Sequence, residues 1–256
     1  MDPGVRNFLY RNPQFYESVY PEPNDETPAM CRRMFSRYLA APPRSILDIG
    51  CGTGRDLDSL ANDCPDCWGV DFLPEMIEFA KAQRPRLRLQ TGDMRTVRLG
   101  RAFDAILCMG SAFMYALAVE DIDRTLGTFA AHSHPGTLLI LDINNAASYL
   151  AGGQFKPASE LDVNVPGFRA HARSTLKFDR RRQLLVRHRT WMIEGQGEVE
   201  DFCEYRMFFP AELEWLLGDH GFRVAGMFDN MQLKETDLTG PRLYVPAVFQ
   251  SRAARA

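Results

Sequence analysis

The chain has 256 residues, a formal net charge of −3 and 45% hydrophobic residues. This length and composition favour a single domain over 1–256 with a substantial core, and the small negative charge gives no general attraction to nucleic acid or anionic membranes. No apolar run reaches membrane-spanning length and the N-terminus lacks the apolar stretch of a signal peptide, so we expect a cytoplasmic protein with neither nucleic acid nor membrane as a partner.

Residues 1–40 are predicted to form an aromatic N-terminal lid followed by a helix. Tyr16 and Tyr20 belong to a segment that is too rich in aromatic residues for a disordered tail. Apolar residues at helical spacing then predict a helix from Pro28 to Leu39.

The most specific pattern follows the apolar run 45–49, which ends in three glycines spaced two residues apart, Gly50, Gly52 and Gly54. It predicts a buried strand, a tight turn and a helix, with the turn at a strand end where α/β proteins bind ligands. A dinucleotide fingerprint would need glycine at the position of Arg55, so the pattern disfavours a nicotinamide oxidoreductase.

Apolar strands and amphipathic helices alternate from residue 45 to residue 143, and a helix and two strands close the chain. This alternation predicts an α/β fold, with a doubly wound, mostly parallel seven-stranded sheet and helices on both faces.

Residues 146–209 are predicted to form an antiparallel meander inserted after the fifth strand. Three alternating runs, 168–178, 183–193 and 198–209, indicate three strands. One face of the first run carries Arg169 and Arg173 and is interpreted as solvated. The meander is also the surface through which we expect any homo-oligomer to form.

The order of these motifs resembles that of the class I methyltransferases, which bind S-adenosylmethionine (SAM), and the resemblance covers about positions 45 to 143. It implies a Rossmann-like fold with SAM as cofactor, Asp71 on the ribose hydroxyls and Asp93 on the adenine amino group. The cofactor contacts that it implies are Asp48, Gly50, Gly52, Gly54, Asp71, Phe72, Asp93, Met94 and Met109.

The segment Cys108–Tyr115 lacks the Asn/Asp-Pro-Pro-aromatic motif of base-modifying methyltransferases. The chain resembles instead the small-molecule methyltransferases of bacterial secondary metabolism, including antibiotic biosynthesis, that N-methylate amino sugars. The resemblance implies a small-molecule acceptor, with an amine favoured. The alternatives are O- or C-methylation and, in another class, a non-catalytic SAM-binding regulatory protein.

For the acceptor site we predict Tyr16 and Tyr115 as catalytic residues, because Tyr16 fits the lid motif of these relatives and Tyr115 stands where they carry a histidine. Tyr20, Phe113 and Asn144 are predicted to contact the substrate. Displacement at a sulfonium methyl requires no metal, and we expect none.

Overall fold

The computed structural model describes residues 5–21, 25–151 and 156–251. Positions 1–4 and 22–24 of the predicted lid, and 152–155 of the predicted meander, lie outside the described residues.

Within these ranges the chain forms twelve strands and eight helices, with a short 3-10 helix at Ala112–Tyr115. The strands are β1 (Val5–Arg6), β2 (Ser45–Ile49), β3 (Asp66–Asp71), β4 (Arg88–Thr91), β5 (Phe103–Cys108), β6 (Ser133–Asn144), β7 (Ala158–Val165), β8 (Phe168–Asp179), β9 (Leu184–Ile193), β10 (Gly197–Arg206), β11 (Phe222–Val224) and β12 (Arg242–Phe249). The helices are α1 (Phe8–Arg11), α2 (Pro13–Val19), α3 (Glu26–Tyr38), α4 (Arg55–Leu60), α5 (Pro74–Gln83), α6 (Val119–Ala131), α7 (Ala146–Ala151) and α8 (Pro210–Asp219).

Seven strands form one sheet in the order β4-β3-β2-β5-β6-β12-β11. The first five in this order are parallel, whereas β12 is antiparallel to both of its neighbours. Every residue from Thr137 to Ile143 of β6 is buried, as expected for a strand covered on both faces. The predicted fold class is confirmed.

Helices cover both faces of this sheet. Leu126 of α6 and Leu213 of α8 share one apolar cluster with Leu139 of β6. Met30 of α3 shares a second cluster with Ile140, the next residue of β6. Successive strand residues point to opposite faces of the sheet, so the two clusters lie on opposite faces. This is the arrangement of a doubly wound fold.

A second sheet is antiparallel throughout, in the order β1-β10-β9-β8-β7. The sequence predicted three of its strands, and the structure adds β7 and β1. Most residues of β7 are exposed, so this edge strand has no alternating pattern to reveal it. β1 pairs with the distant Phe202 and Cys203, a contact without any local sequence signal.

The lid packs on the inner face of this second sheet. Leu9 of α1 and Phe15 of α2 join Phe168 and Trp191 in a third apolar cluster. The backbone N–H of Phe8 donates to Asp201 Oδ1 at 2.6 Å. The meander therefore holds the N-terminal helices over the parallel sheet.

Candidate active site

A pocket opens beyond the carboxyl ends of β2, β3, β4 and β5, and α1 and α2 cover it. This is the position at which open α/β sheets bind ligands. Of the predicted site residues, those that line the pocket are Tyr16, Gly50, Gly52, Asp71, Phe72, Asp93, Met94, Met109 and Tyr115.

The glycine turn closes one side of the pocket. Gly50 has φ +85°, and a Cβ atom built on it would lie 2.4 Å from Ala112 Cβ. Gly52 has φ +54°, and a Cβ atom built there would have no neighbour within 4 Å. Gly50 is therefore required by packing, whereas Gly52 presents open space to a ligand.

Gly54 lies outside the pocket lining. It begins α4 at φ +75°, and a Cβ atom on it would lie 3.2 Å from Leu87 Cδ1. In the structure it is the N-cap residue of the helix, and the cofactor contact predicted for it stays a prediction.

Asp71 organises the glycine turn from the end of β3. Its Oδ2 accepts from the Gly52 N–H at 2.8 Å and its Oδ1 from the Leu73 N–H at 2.9 Å. Desolvation raises the pKa of the Asp71 carboxyl above its ordinary value, although these backbone N–H groups oppose the rise. A carboxylate has about four lone-pair sites, so Asp71 keeps acceptor capacity toward the pocket.

Asp48 lies below the turn, on β2, and does not line the pocket. Its side chain is 3% exposed, and Oδ1 has no hydrogen-bond partner among the described residues. Burial, with a smaller contribution from Asp71, raises the pKa of Asp48 to about 7. The cofactor contact predicted for Asp48 stays a prediction.

Asp93 and Arg95 form an ion pair at the pocket wall after β4. The guanidinium of Arg95 donates to both oxygens of Asp93, with Nη2 to Oδ2 at 2.7 Å. Burial raises the pKa of Asp93, but Arg95 outweighs it and holds this pKa below its ordinary value. The apolar side chains of Met94 and Met109 line the pocket nearby.

Phenols form another part of the pocket lining. Tyr10 and Tyr16 come from the lid, and Tyr115 comes from the 3-10 helix after β5. The Tyr115 hydroxyl lies 3.5 Å from that of Tyr205 on β10. Burial raises the pKa of Tyr10, Tyr16 and Tyr115 well above the ordinary value, so these hydroxyls remain protonated at neutral pH.

Three predicted substrate contacts lie outside the pocket lining. Tyr20 is 40% exposed and packs edge-on against Tyr16. Phe113 is fully buried against Phe208 in the core. Asn144 Oδ1 accepts from Arg242 Nη1 at 2.9 Å. The substrate contacts predicted for Tyr20, Phe113 and Asn144 stay predictions.

Polar contacts fasten the lid to the parallel domain. Glu17 Oε1 lies 2.7 Å from Arg84 Nη2, and Glu75 Oε1 lies 3.1 Å from Arg11 Nη1. Arg55 Nη1 donates to the Tyr20 carbonyl at 2.6 Å. These contacts join α1 and α2 to the helices α4 and α5 of the parallel domain.

Sequence reasoning did not assign Tyr10, Arg95, Arg187 or Tyr205 to the site. Tyr10 belongs to the same aromatic-rich segment as Tyr16, and Arg95 follows Asp93 by two residues. Both residues could therefore have been assigned from their neighbours in the sequence. Tyr205 lies beside Tyr115, and Arg187 beside Tyr205, only because the meander folds back, and no local pattern indicates those contacts.

The described ranges lack two features. They contain no group of three or more histidine, cysteine or acidic residues able to hold a metal ion. None of the helices described is both long and apolar enough to cross a membrane.

The strand order and the pocket beyond the strand ends define the fold as that of the class I methyltransferases. In agreement, residues 46–136 match the family described as "Methyltransferase domain". The resemblance found in the motifs is confirmed.

Among curated proteins, the chain is similar to dTDP-3-amino-3,4,6-trideoxy-alpha-D-glucopyranose N,N-dimethyltransferase of Streptomyces venezuelae, with 34% identity over 38% of this chain and 41% of the relative. It is also similar to dTDP-3-amino-3,6-dideoxy-alpha-D-glucopyranose N,N-dimethyltransferase of Streptomyces fradiae, with 33% identity over 43% of this chain and 45% of the relative. The chain thus spans less than half the length of these relatives.

Solved structures resemble nearly the whole chain. A SAM-dependent methyltransferase from Clostridium acetobutylicum covers 96% of this chain and 100% of its own, with TM-score 0.80 and 17% identity. A SAM-bound amino pentose methyltransferase from Micromonospora echinaspora covers 93% and 96%, with TM-score 0.73 and 24% identity. At these identities the likeness establishes the fold.

Proposed function

We propose that the chain transfers a methyl group from SAM to the amine of a small-molecule acceptor, an amino sugar of secondary metabolism. The cofactor end of the pocket is the glycine turn with Asp71 and Asp93, and the acceptor end is the group of phenols. The proposal also draws on the sequence relatives, whose names specify amino-sugar N,N-dimethylation.

The residues at the cofactor end fit SAM. The open side of Gly52 admits a ligand against the backbone. Asp71 retains lone pairs for hydroxyl donors, and Phe72 and Met94 offer apolar faces for a purine. Bound here, SAM supplies an electrophilic methyl group, and the chain's own residues exclude water and orient the acceptor.

The observation that favours an amine is that the described residues place no general base at the acceptor end. Tyr10, Tyr16 and Tyr115 have raised pKa values and stay protonated. The other ionisable residues of the pocket lining are Asp71, Asp93 and Arg95, at the cofactor end.

A neutral amine already carries its lone pair and needs no deprotonation before attack, whereas an alcohol or a carbon acid does. The tyrosine hydroxyls can orient such an amine as hydrogen-bond partners. We therefore place N-methylation ahead of O- and C-methylation. Oligomer formation through the meander, a cytoplasmic location and the lack of nucleic-acid and membrane partners stay predictions.

The test uses SAM labelled in its methyl group and two matched acceptors, dTDP-3-amino-3,6-dideoxyglucose and the same sugar nucleotide with a 3-hydroxyl group. We expect label on the amine and none on the hydroxyl compound. Transfer to the hydroxyl alone would contradict N-methylation. SAM binding without transfer to any acceptor in a wider panel of amines would favour the regulatory alternative.

A further inference from the structure

The ion pair of Asp93 and Arg95 lies in the pocket wall, in the turn beyond the carboxyl end of β4. Both residues line the pocket, and both side chains are partly buried. The arginine competes with any ligand for the oxygens of this carboxylate, since charge-assisted hydrogen bonds are the strong ones. The geometry of the pair therefore determines what the carboxylate can still bind.

The two oxygens of Asp93 are not equally occupied. Oδ1 accepts from the backbone N–H of Arg95 at 2.8 Å and from Arg95 Nε at 2.9 Å. Oδ2 accepts from Arg95 Nη2 at 2.7 Å and shares the Nε hydrogen at 3.0 Å. Each carboxylate oxygen has about two lone-pair sites, so Oδ1 is filled and Oδ2 keeps acceptor capacity for the pocket.

The backbone of the turn holds the same carboxylate in place. The Asp93 carbonyl accepts from the N–H groups of Thr96 at 3.0 Å and Val97 at 2.8 Å. The N–H of Gly92 donates to the Asp71 carbonyl at 2.8 Å, which joins the turn to the end of β3. The direction of the Asp93 side chain is therefore set before a ligand arrives, which lowers the entropy cost of binding.

The guanidinium of Arg95 has a second anchor on another element. Its Nη1 lies 3.3 Å from Oδ1 of Asp121, a partly buried residue in the first turn of α6. Arg95 is thus held between a carboxylate on the β4 turn and a carboxylate on α6. A planar fork held in this way fixes the orientation of Asp93, whereas a lysine offers only a point charge.

Arg95 also keeps Asp93 ionised. Burial raises the pKa of the Asp93 carboxyl, and the hydrogen bonds and charge of Arg95 bring that pKa below its ordinary value. Asp121 acts on the pKa of Arg95 and raises it. An ionised carboxylate only accepts hydrogen bonds, whereas a protonated one also donates. Asp93 is therefore an acceptor alone at neutral pH.

We infer that Arg95 is a positioning residue for cofactor recognition, which holds Asp93 so that Oδ2 accepts from a purine amino group and rejects a purine with an oxygen at that position. The inference deepens the proposed function and rests on it. Two acceptors facing each other leave a partly buried polar group unpaired, and such a site rejects the wrong ligand strongly. Arg95 acts through Asp93, so its effect is on the choice between purines.

The test compares S-adenosylhomocysteine with S-inosylhomocysteine, in which an oxygen replaces the purine amino group, by calorimetric titration at pH 5.5 and pH 8. The native protein should favour the adenosyl ligand by about tenfold or more at both pH values, as expected for one hydrogen bond to a charged group. Titration of Asp48 or Asp71 cancels in this affinity ratio, because the two ligands share every part except the purine substituent.

The decisive variant is Arg95→Met, which removes both the charge and the fork. It should lower the affinity ratio to about threefold or less at pH 8 and further at pH 5.5, because a protonated Asp93 can donate to the inosyl oxygen. Arg95→Lys should give a reduced ratio that is the same at both pH values, since the charge remains. Asp93→Asn, whose amide both donates and accepts, is the reference for complete loss of discrimination.

The matched control is Arg98→Met, which removes a neighbouring exposed arginine. Arg98 Nη1 donates to Thr128 Oγ1 at 2.6 Å, and the residue does not line the pocket. This variant should keep the native ratio. Asp121→Asn should reduce the ratio by about twofold, because it removes only the second anchor of the guanidinium.

A native ratio near one overturns the inference and leaves the proposed function intact. A native ratio retained in Arg95→Met also overturns it, even if both ligands bind more weakly, because a uniform loss is the effect of a structural residue. If Arg95→Met does not fold, the ratio in Arg95→Lys decides in the same way. Native protein that binds neither ligand would instead contradict the proposed function.

Discussion

A single buried carboxylate makes the parallel core sensitive to pH. Asp48 is 3% exposed, its Oδ1 has no partner among the described residues, and its pKa is raised to about 7. In the unfolded chain the same group has an ordinary pKa near 3.8. The folded state therefore binds the proton more tightly than the unfolded state does.

The sign of the resulting effect follows from this difference. Below about pH 4 the group is protonated in both states and has no effect. As the pH rises from there to 7, Asp48 ionises in the unfolded state but stays largely protonated in the folded state, because burial disfavours the charged form. The free energy of unfolding therefore falls. The loss amounts to at most about 4 kcal/mol, which is about three pKa units.

We predict that Asp48→Asn removes most of this pH dependence, because the amide stays neutral. Urea unfolding of the native and variant proteins from pH 4 to pH 8 measures it. The variant should gain stability relative to the native protein as the pH rises. Parallel stability curves for the two proteins would contradict a buried, titrating Asp48.

Tyr115 is the other residue with a specific expectation. Tyr115→Phe removes the hydroxyl that lies 3.5 Å from Tyr205 and should orient the acceptor. We expect turnover to fall by about five- to tenfold, the value of one neutral hydrogen bond, with affinity for S-adenosylhomocysteine within about threefold of native.

The matched control for Tyr115→Phe is Tyr38→Phe. The Tyr38 hydroxyl has no hydrogen-bond partner within the described ranges and does not line the pocket. Steady-state kinetics of both variants separate an orienting hydroxyl from a packing ring. Equal turnover in the two would make Tyr115 a packing residue.

At the scale of elements, the turn between β2 and α4 carries the cofactor end. A side chain at Gly50 would clash with Ala112. A side chain at Gly52 would enter space that is open to a ligand. We predict that Gly52→Val abolishes binding of S-adenosylhomocysteine while the protein still folds, because the side chain occupies the pocket.

The control for Gly52→Val must share its backbone strain. Gly136 also has a positive φ, +94°, and open space around its Cβ position, but it lies in the first part of β6, away from the pocket. Gly136→Val should bind like the native protein in the same titration. Normal binding by Gly52→Val would show that the turn does not touch the ligand.

The lid is held to the parallel domain by an ion pair that a substitution can remove. Glu17 of α2 lies 2.7 Å from Arg84, and the pair is largely screened from solvent. Glu17→Gln should weaken this attachment by roughly 1 kcal/mol and speed release of S-adenosylhomocysteine about fivefold. Stopped-flow displacement measures the rate. Asp58→Asn, which breaks the Arg86 pair away from the lid, is the control and should leave the rate unchanged.

For the whole molecule, sequence predicted what depends on local pattern. The alternation from 45 to 143 specified the parallel sheet, and the buried stripe of α6, with Ile122, Leu126 and Phe129, lies where its spacing indicated. The glycine turn and the acids after β3 and β4 were located in the same way, because each follows directly from an apolar strand.

The rest depends on contacts between distant parts of the chain. β1 is visible only through its pairing with β10, and Arg187 approaches the phenols only when the meander folds over the sheet. Phe113 looked like a pocket residue because it follows a strand end, but the 3-10 helix turns it into the core. Periodicity cannot report such turns of the chain.

The central claim is that the pocket beyond the parallel strands binds SAM. Calorimetric titration of the native protein with S-adenosylhomocysteine and with NAD, under identical conditions, tests it most directly. The account predicts saturable one-to-one binding of S-adenosylhomocysteine, weakened in Asp71→Ala by roughly 1.5–3 kcal/mol, and no heat of binding with NAD. Saturable NAD binding with none of S-adenosylhomocysteine would contradict it.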